Sequence, residues 1–226
     1  MRGFVYGRRR SQRLRPGRRR LLAERLPEVE LVVPPAGRID PAALFPDRRR
    51  IWLEIGFGGG EHLAAQAAAH PECGLIGCEP YLTGVARLLA EAEAQGLTNL
   101  RILVDDARLL LEALPDGCLE RIFVLFPDPW PKTRHHKRRI VSPATAAQFA
   151  RLLLPGGELR LATDDMDYAR AMLLALLPIP QLTWRARDPS DWREPPPDST
   201  PTRYQEKARR AGRPCVYLRF ERVTGQ

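Results

Sequence analysis

Leu53-Glu54-Ile55-Gly56-Phe57-Gly58-Gly59-Gly60 is the stretch on which the fold turns. The apolar run 51–55 predicts a strand, and the alanine-rich run 61–69 predicts a helix that Pro71 stops. Strand, glycine turn and helix in that order open a parallel α/β unit. Outward from there the alternation repeats. Further strands are expected at 74–78, 100–104, 121–126 and from 157 to about 163, with helices at 84–95, 107–114, 143–154 and 165–177. Two last strands are expected at 182–186 and 216–221. The fold class is therefore α/β, with seven strands in a mainly parallel sheet and helices on both faces. In such sheets ligands sit beyond the carboxyl ends of the strands.

The chain has 226 residues, of which 44% are hydrophobic, enough for one α/β domain with appendages. No apolar run approaches a membrane span and no apolar signal core stands near the start, so a cytoplasmic protein is expected. Cys73, Cys78, Cys118 and Cys215 lack zinc spacing and read as reduced structural thiols, with no metal. The net charge of +9 has a definite address. Residues 1–25 carry ten arginines and one glutamate, while the other 201 residues balance at 26 basic and 26 acidic. Residues 1–45 read as a basic, flexible arm and lead-in, and 46–226 as one domain. Arg8-Arg9-Arg10 and Arg18-Arg19-Arg20 suit a polyanion, because neutralised phosphates release counterions. A transit peptide or a solubility tail are the competing readings. Pro195-Pro196-Pro197 marks a surface loop.

The glycine loop departs from the dinucleotide pattern G-x-G-x-x-G, since its third glycine comes one residue early. Gly56 and Gly58 let the backbone turn and approach a ligand closely. With Glu54 before the first glycine, the loop resembles the S-adenosylmethionine loop of Rossmann-like methyltransferases. A carboxylate there suits a cationic cofactor and would repel a pyrophosphate. Glu79 ends the second strand and can accept ribose hydroxyls. Asp106 follows the third, where it can accept the adenine amino group and also cap the next helix.

The run Phe126-Pro127-Asp128-Pro129-Trp130-Pro131-Lys132 follows the fourth strand. Three prolines in five residues exclude a helix, and Pro129 pushes Asp128 toward extended backbone. Asp128 would thus be held in a fixed direction at the mouth of the sheet. Trp130 offers an apolar face to a base or the cofactor, or simply packs. Residues 132–139 hold five cations and two histidines, suited to phosphates beside an active site.

This segment resembles the bacterial tRNA (guanine-N7)-methyltransferase family, in its string F-P-D-P-W-P-K-x-R-H-x-K-R-R. The glycine loop, the strand-ending Glu79, Ala162-Thr163-Asp164, Thr202-Arg203-Tyr204 and Phe220-Glu221-Arg222 fit as well. The resemblance implies a Rossmann-like seven-stranded methyltransferase sheet, S-adenosylmethionine as cofactor and tRNA as partner. It implies that Glu54, Gly56, Gly58, Glu79, Asp106 and Asp128 meet the cofactor, Asp128 being also the active-site residue. It implies that Lys132, Asp164, Thr202, Arg203, Tyr204 and Gln205 meet the substrate guanosine. Arg134, His135, His136, Lys137, Arg138 and Arg139 are implied to meet tRNA. Gln205 stands where the family usually has glutamate. No membrane and no obligate protein partner are expected, and the protein is a monomer or a homodimer. Three readings compete: a methyltransferase acting on an exocyclic amine, a non-catalytic RNA-binding module on the same fold and, more remotely, a nicotinamide enzyme.

Overall fold

The computed structural model describes residues 14–34 and 37–223. It divides into two compact units, Met1–Pro115 and Asp116–Gln226. In the first lie α1 (Pro16–Glu24), α2 (Leu26–Val29), α3 (Pro41–Leu44), β1 (Arg50–Ile55), α4 (Glu61–Ala69), β2 (Cys73–Cys78), α5 (Leu82–Gln95), β3 (Leu100–Leu103) and α6 (Ala107–Ala113). In the second lie β4 (Leu119–Leu125), a 3-10 helix (Thr133–Arg138), α7 (Pro143–Leu152), β5 (Leu153–Thr163), α8 (Met166–Leu176), β6 (Leu182–Trp184), α9 (Ser190–Arg193), α10 (Arg203–Arg210) and β7 (Val216–Arg222). The seven strands belong to one sheet.

In the first unit the strands run parallel in the order β3-β2-β1, with Ile55 opposite Cys78 and Cys78 opposite Leu103. Their near-continuous apolar sequence is what burial on both faces requires. Every residue of β2 is buried, as are Ile51 to Ile55 of β1. The buried amide of Asn99 donates to the carbonyls of Ala67, His70 and Cys73 at 3.0–3.1 Å, tying the end of α4 to the start of β2. Helix α5 ends at Gly96, whose φ of +64° is a left-handed cap that favours glycine.

The lead-in is not structureless. Leu21, Leu26, Leu31, Ile39 and Phe45 are buried, and Phe45 is among the largest fully buried side chains. Leu31 N–H donates to Ile102 O at 2.8 Å and Glu30 bridges Ile102 in parallel, so this segment covers the edge of β3. Arg18-Arg19-Arg20 lies in α1, whereas Arg8-Arg9-Arg10 lies outside the described residues.

In the second unit the order is β4-β5-β7-β6. Strand β4 pairs parallel with β5, while β7 pairs antiparallel with both β5 and β6. Helix α7 starts on a full capping box, Ser142 with Thr145, behind Pro143 at its first turn. It stops at Leu152, two residues short of expectation. Strand β5 begins at Leu153, earlier than the 157 expected, because Leu153 pairs Leu119 ahead of a register shift. Arg160 is buried in this unit. It donates to both carboxylate oxygens of Asp198 (2.8 and 2.9 Å) and to Glu158 (2.7 Å), which fixes the Pro195-Pro196-Pro197 loop to β5.

Among the described residues all four cysteines are free thiols, and no helix is long and apolar enough to cross a membrane.

Candidate active site

In the first unit the glycine loop takes the shape its sequence predicts. Gly56, Gly58 and Gly60 have φ of +72°, +56° and +82°, a region costly for any residue with a Cβ. Gly56 N–H still donates to Cys78 O at 2.8 Å, so the loop leaves the sheet only after the strand is complete. Glu79 is buried and braces the loop. One of its oxygens accepts from Gly58 N–H at 2.9 Å and the other from Tyr81 N–H at 3.0 Å. These two bonds fix the direction of the carboxylate at the end of β2.

Two contributions escaped the sequence. Gly84, in the first turn of α5, faces the loop so closely that a Cβ there would lie 1.9 Å from Gly58 O. That glycine keeps α5 against the loop. His62 Nδ1 meets Glu54 Oε2 at 2.7 Å, both side chains being buried, so the carboxylate nearest the loop has a fixed direction. Asp106 caps α6, accepting from Arg108 N–H at 2.9 Å, and Arg108 also reaches both of its oxygens. Residues 54–63 contain two glutamates and no lysine or arginine. This set fits a cofactor bearing an ammonium and a sulfonium, and fits a pyrophosphate badly.

In the second unit Asp128 lies just past β4, in a turn bracketed by two left-handed residues that are not glycine: Phe126 (φ +51°) and Trp130 (φ +46°). Such backbone is strained and persists only where its surroundings enforce it. Phe126 N–H donates to Ala162 O at 2.7 Å, which seats the turn on the end of β5. The Asp128 side chain reaches solvent. The protein around it still desolvates the carboxyl and pushes it above the usual carboxylate range. Trp130 packs under the Arg138 guanidinium at 4.8 Å and edge-on to His135 at 5.9 Å.

The basic strip does not behave as one surface. Lys132, Arg134 and Lys137 are exposed, and His135, His136 and Arg138 half-buried. Desolvation and the surrounding cations hold His135 below the usual histidine range, so it favours the neutral ring. Arg139, expected to meet tRNA, differs from the rest of the strip. It is buried, with Nε donating to Pro129 O (2.8 Å) and a terminal guanidinium nitrogen donating to Asp167 (2.6 Å).

Asp164 follows β5 and is ion-paired with Arg213 at 2.8 Å, a partner the sequence did not suggest. Thr202 caps α10, accepting from Gln205 N–H at 3.2 Å. Arg203, Tyr204 and Gln205 therefore form the first turn of a helix that the hydrophobic pattern does not announce. The signal was present as T-x-x-Q, the sequence of a capping box, in which glutamine and glutamate both serve at the third helical position; the Thr202 bond is one half of it.

A protein from Rhodospirillum rubrum called tRNA (guanine-N(7)-)-methyltransferase is 53% identical over 221 residues, covering 96% of this chain and 87% of the relative. The chain belongs to the tRNA (guanine-N7)-methyltransferase family. A relative of the same name from Nitrobacter hamburgensis is 48% identical over 221 residues, 97% of this chain and 87% of its own. The family model described as "Putative methyltransferase" matches residues 48–218. Among solved structures, an rRNA methylase from Streptococcus thermophilus superposes with a TM-score of 0.55 at 14% identity, covering 79% of this chain and 89% of its own. The 16S rRNA methyltransferase KamB gives 0.56 at 16%, covering 86% and 99%. At those identities they show the fold, a Rossmann-like methyltransferase sheet. Membership of the tRNA (guanine-N7)-methyltransferase family sets a nicotinamide enzyme aside.

Proposed function

We propose that this enzyme transfers the methyl group of S-adenosylmethionine to N7 of guanine in tRNA, at the variable-loop guanine of tRNA position 46. The observation that carries the chemistry is the Asp128 turn. An acidic side chain is held rigidly at a strand end, open to a ligand and already partly desolvated. The family's shared name supports the choice of guanine N7 and tRNA.

When bound, S-adenosylmethionine supplies an electrophilic methyl on a positive sulfur. Guanine N7 carries an in-plane lone pair and no proton, so no residue has to act as a base. The chain's own residues have two tasks, alignment and stabilisation of the positive charge that builds on the purine. Glu54, Glu79 and Asp106 hold the cofactor's ammonium, ribose and adenine, with Gly56 and Gly58 giving close approach. Asp128 accepts from guanine N1–H and the 2-amino group. A desolvated carboxylate makes those bonds stronger than water would allow. Asp164, Lys132 and the turn from Thr202 to Gln205 complete the guanosine contacts.

Lys132, Arg134 and Lys137 hold phosphates, and the N-terminal arginines add to them. N7 lies on the Hoogsteen edge, which is often occupied by tertiary pairing in folded RNA, so the base must be exposed or extruded before reaction. The cytoplasm, where tRNA is found, is the place of action. Labelled methyl transfer to an unmodified tRNA transcript, followed by chemical cleavage at N7-methylguanine, tests this reading. One cut in the variable loop is expected. Label retained without any cut at N7 would show that another atom is the acceptor.

A further inference from the structure

We propose that Arg139 is a positioning residue for the reaction and not an RNA contact: it holds the Asp128 turn in its working shape from inside the protein. This rests on the assignment of Asp128 to the guanine. Pro127, Pro129 and Pro131 have no N–H to give, so the turn has little means of closing itself with backbone bonds. It is also strained on both sides, at Phe126 and Trp130. An external anchor is what such a turn needs.

Arg139 supplies one at the residue next to Asp128. Its Nε donates to Pro129 O at 2.8 Å and its terminal nitrogen to Asp167 Oδ2 at 2.6 Å. Its guanidinium lies over the ring of Tyr168, 4.7 Å from the centroid. Asp167 and Tyr168 belong to the first turn of α8, and Tyr168 is fully buried. The Tyr168 hydroxyl accepts from Val141 N–H at 3.1 Å, which fixes the chain just past Arg139 as well. The Arg139 side chain is 5% exposed, against 68% for Asp167, so the guanidinium points inward and the carboxylate outward.

Three directions of one planar fork are used: turn, helix and ring. Lysine has the same charge but a single point of attachment, and it cannot serve all three. A phosphate contact needs the charge alone. Lysine therefore separates the two roles, and salt dependence separates them again. Each phosphate contact steepens the fall of affinity with salt by close to one unit of slope.

The test uses the full-length enzyme with an unmodified tRNA transcript. Arg139→Lys, Arg139→Ala and Asp167→Asn are compared with wild type for kcat, tRNA affinity at several salt concentrations and cofactor affinity. Arg139→Lys is expected to lose on the order of 10- to 100-fold in kcat, as misplaced catalytic groups do. Its tRNA affinity, salt slope and cofactor affinity should stay within about two-fold of wild type. Asp167→Asn should lose less, since it loosens the anchor without removing it, and it serves if Arg139→Ala does not fold. In an Asp128→Asn background, Arg139→Lys should cost little more, because the group it positions is already gone. Full kcat in Arg139→Lys overturns the proposal. So does a weaker, less salt-dependent affinity in Arg139→Ala with kcat intact, and so do losses that multiply with Asp128→Asn. Unchanged turnover in Asp128→Asn alone removes the Asp128 assignment, and the proposal with it. A disabled Asp128→Asn beside a fully active Arg139→Lys removes only the proposal.

Discussion

Arg213 places two of its nitrogens, each at 2.8 Å, on the same carboxylate oxygen of Asp164. The arginine lies past α10 and the aspartate at the end of β5, so this pair ties the C-terminal helix region to the strand end proposed to meet guanosine. Oδ1 is then the oxygen not committed to Arg213. Half-exposed pairs of this kind contribute about 0.2–1 kcal/mol. Arg213→Ala should therefore barely move the melting temperature and yet lower kcat/KM several-fold, by releasing Asp164. In the double variant with Asp164→Asn the second loss should vanish. Independent losses in that cycle would mean that Arg213 does not act through Asp164.

Asp128 links activity and stability with opposite signs. Desolvation raises its carboxyl pKa in the folded protein. Between the ordinary aspartate value and that raised one, folding takes up a proton. Its favourable contribution is present at low pH and lost as pH rises through the folded pKa. Asp128→Asn should therefore melt higher than wild type at neutral pH, with the difference closing under acid conditions. The acceptor role needs the ionised form, so wild-type kcat/KM should fall as pH drops through a value above the usual carboxylate range. The asparagine variant should show low turnover, retained cofactor affinity and no such acid limb. Calorimetry and a pH–rate profile check both halves.

Gly84→Ala tests the cofactor loop away from its own glycines. The added methyl would meet Gly58 O at 1.9 Å, and both partners there are backbone. Loop or helix must move, at about 1–3 kcal/mol by analogy with overpacked cores. For a domain of this size, ~1 kcal/mol shifts the melting temperature by ~2–4 °C. Titration calorimetry should show cofactor affinity weakened as well. A variant that melts lower but binds normally would separate Gly84 from the site.

Position 205 has a local answer. Gln205 is the third residue of α10, behind the Thr202 cap. Thr202→Ala should cost about 1 kcal/mol, because a helix donor loses its acceptor. Gln205→Glu should be neutral or slightly stabilising, since a negative charge suits a helix N-terminus. Turnover should change little, which a steady-state assay can read. A large gain in turnover would show that the guanosine contact proposed at this position needs a negative charge, beyond the accepting oxygen that glutamine already offers.

The strands and the loop were legible because they obey local rules. Continuous apolar runs, Gly56 to Gly60 and the stop at Gly96 each follow from backbone sterics within a few residues. What stayed hidden depends on long-range packing. Arg139 reads like Arg138 and Lys137 in a run of cations, and only the fold turns one of them onto Pro129 and Tyr168. Residues 16–45 read as a charged lead-in because their few leucines match no periodic face until they meet β3 and α5. Helix α10 has a single buried residue, Ala208, so its pattern carried almost no hydrophobic signal.

The claim that N7 of one guanine is the nucleophile can be tested on a single atom. A tRNA transcript carrying 7-deazaguanosine at position 46 keeps the base's pairing edge but replaces the N7 lone pair with a C–H. This RNA is expected to bind like the unmodified transcript and to accept no labelled methyl group, while the matched guanosine transcript is methylated to completion. Methyl transfer to the 7-deaza transcript at the normal rate would contradict it.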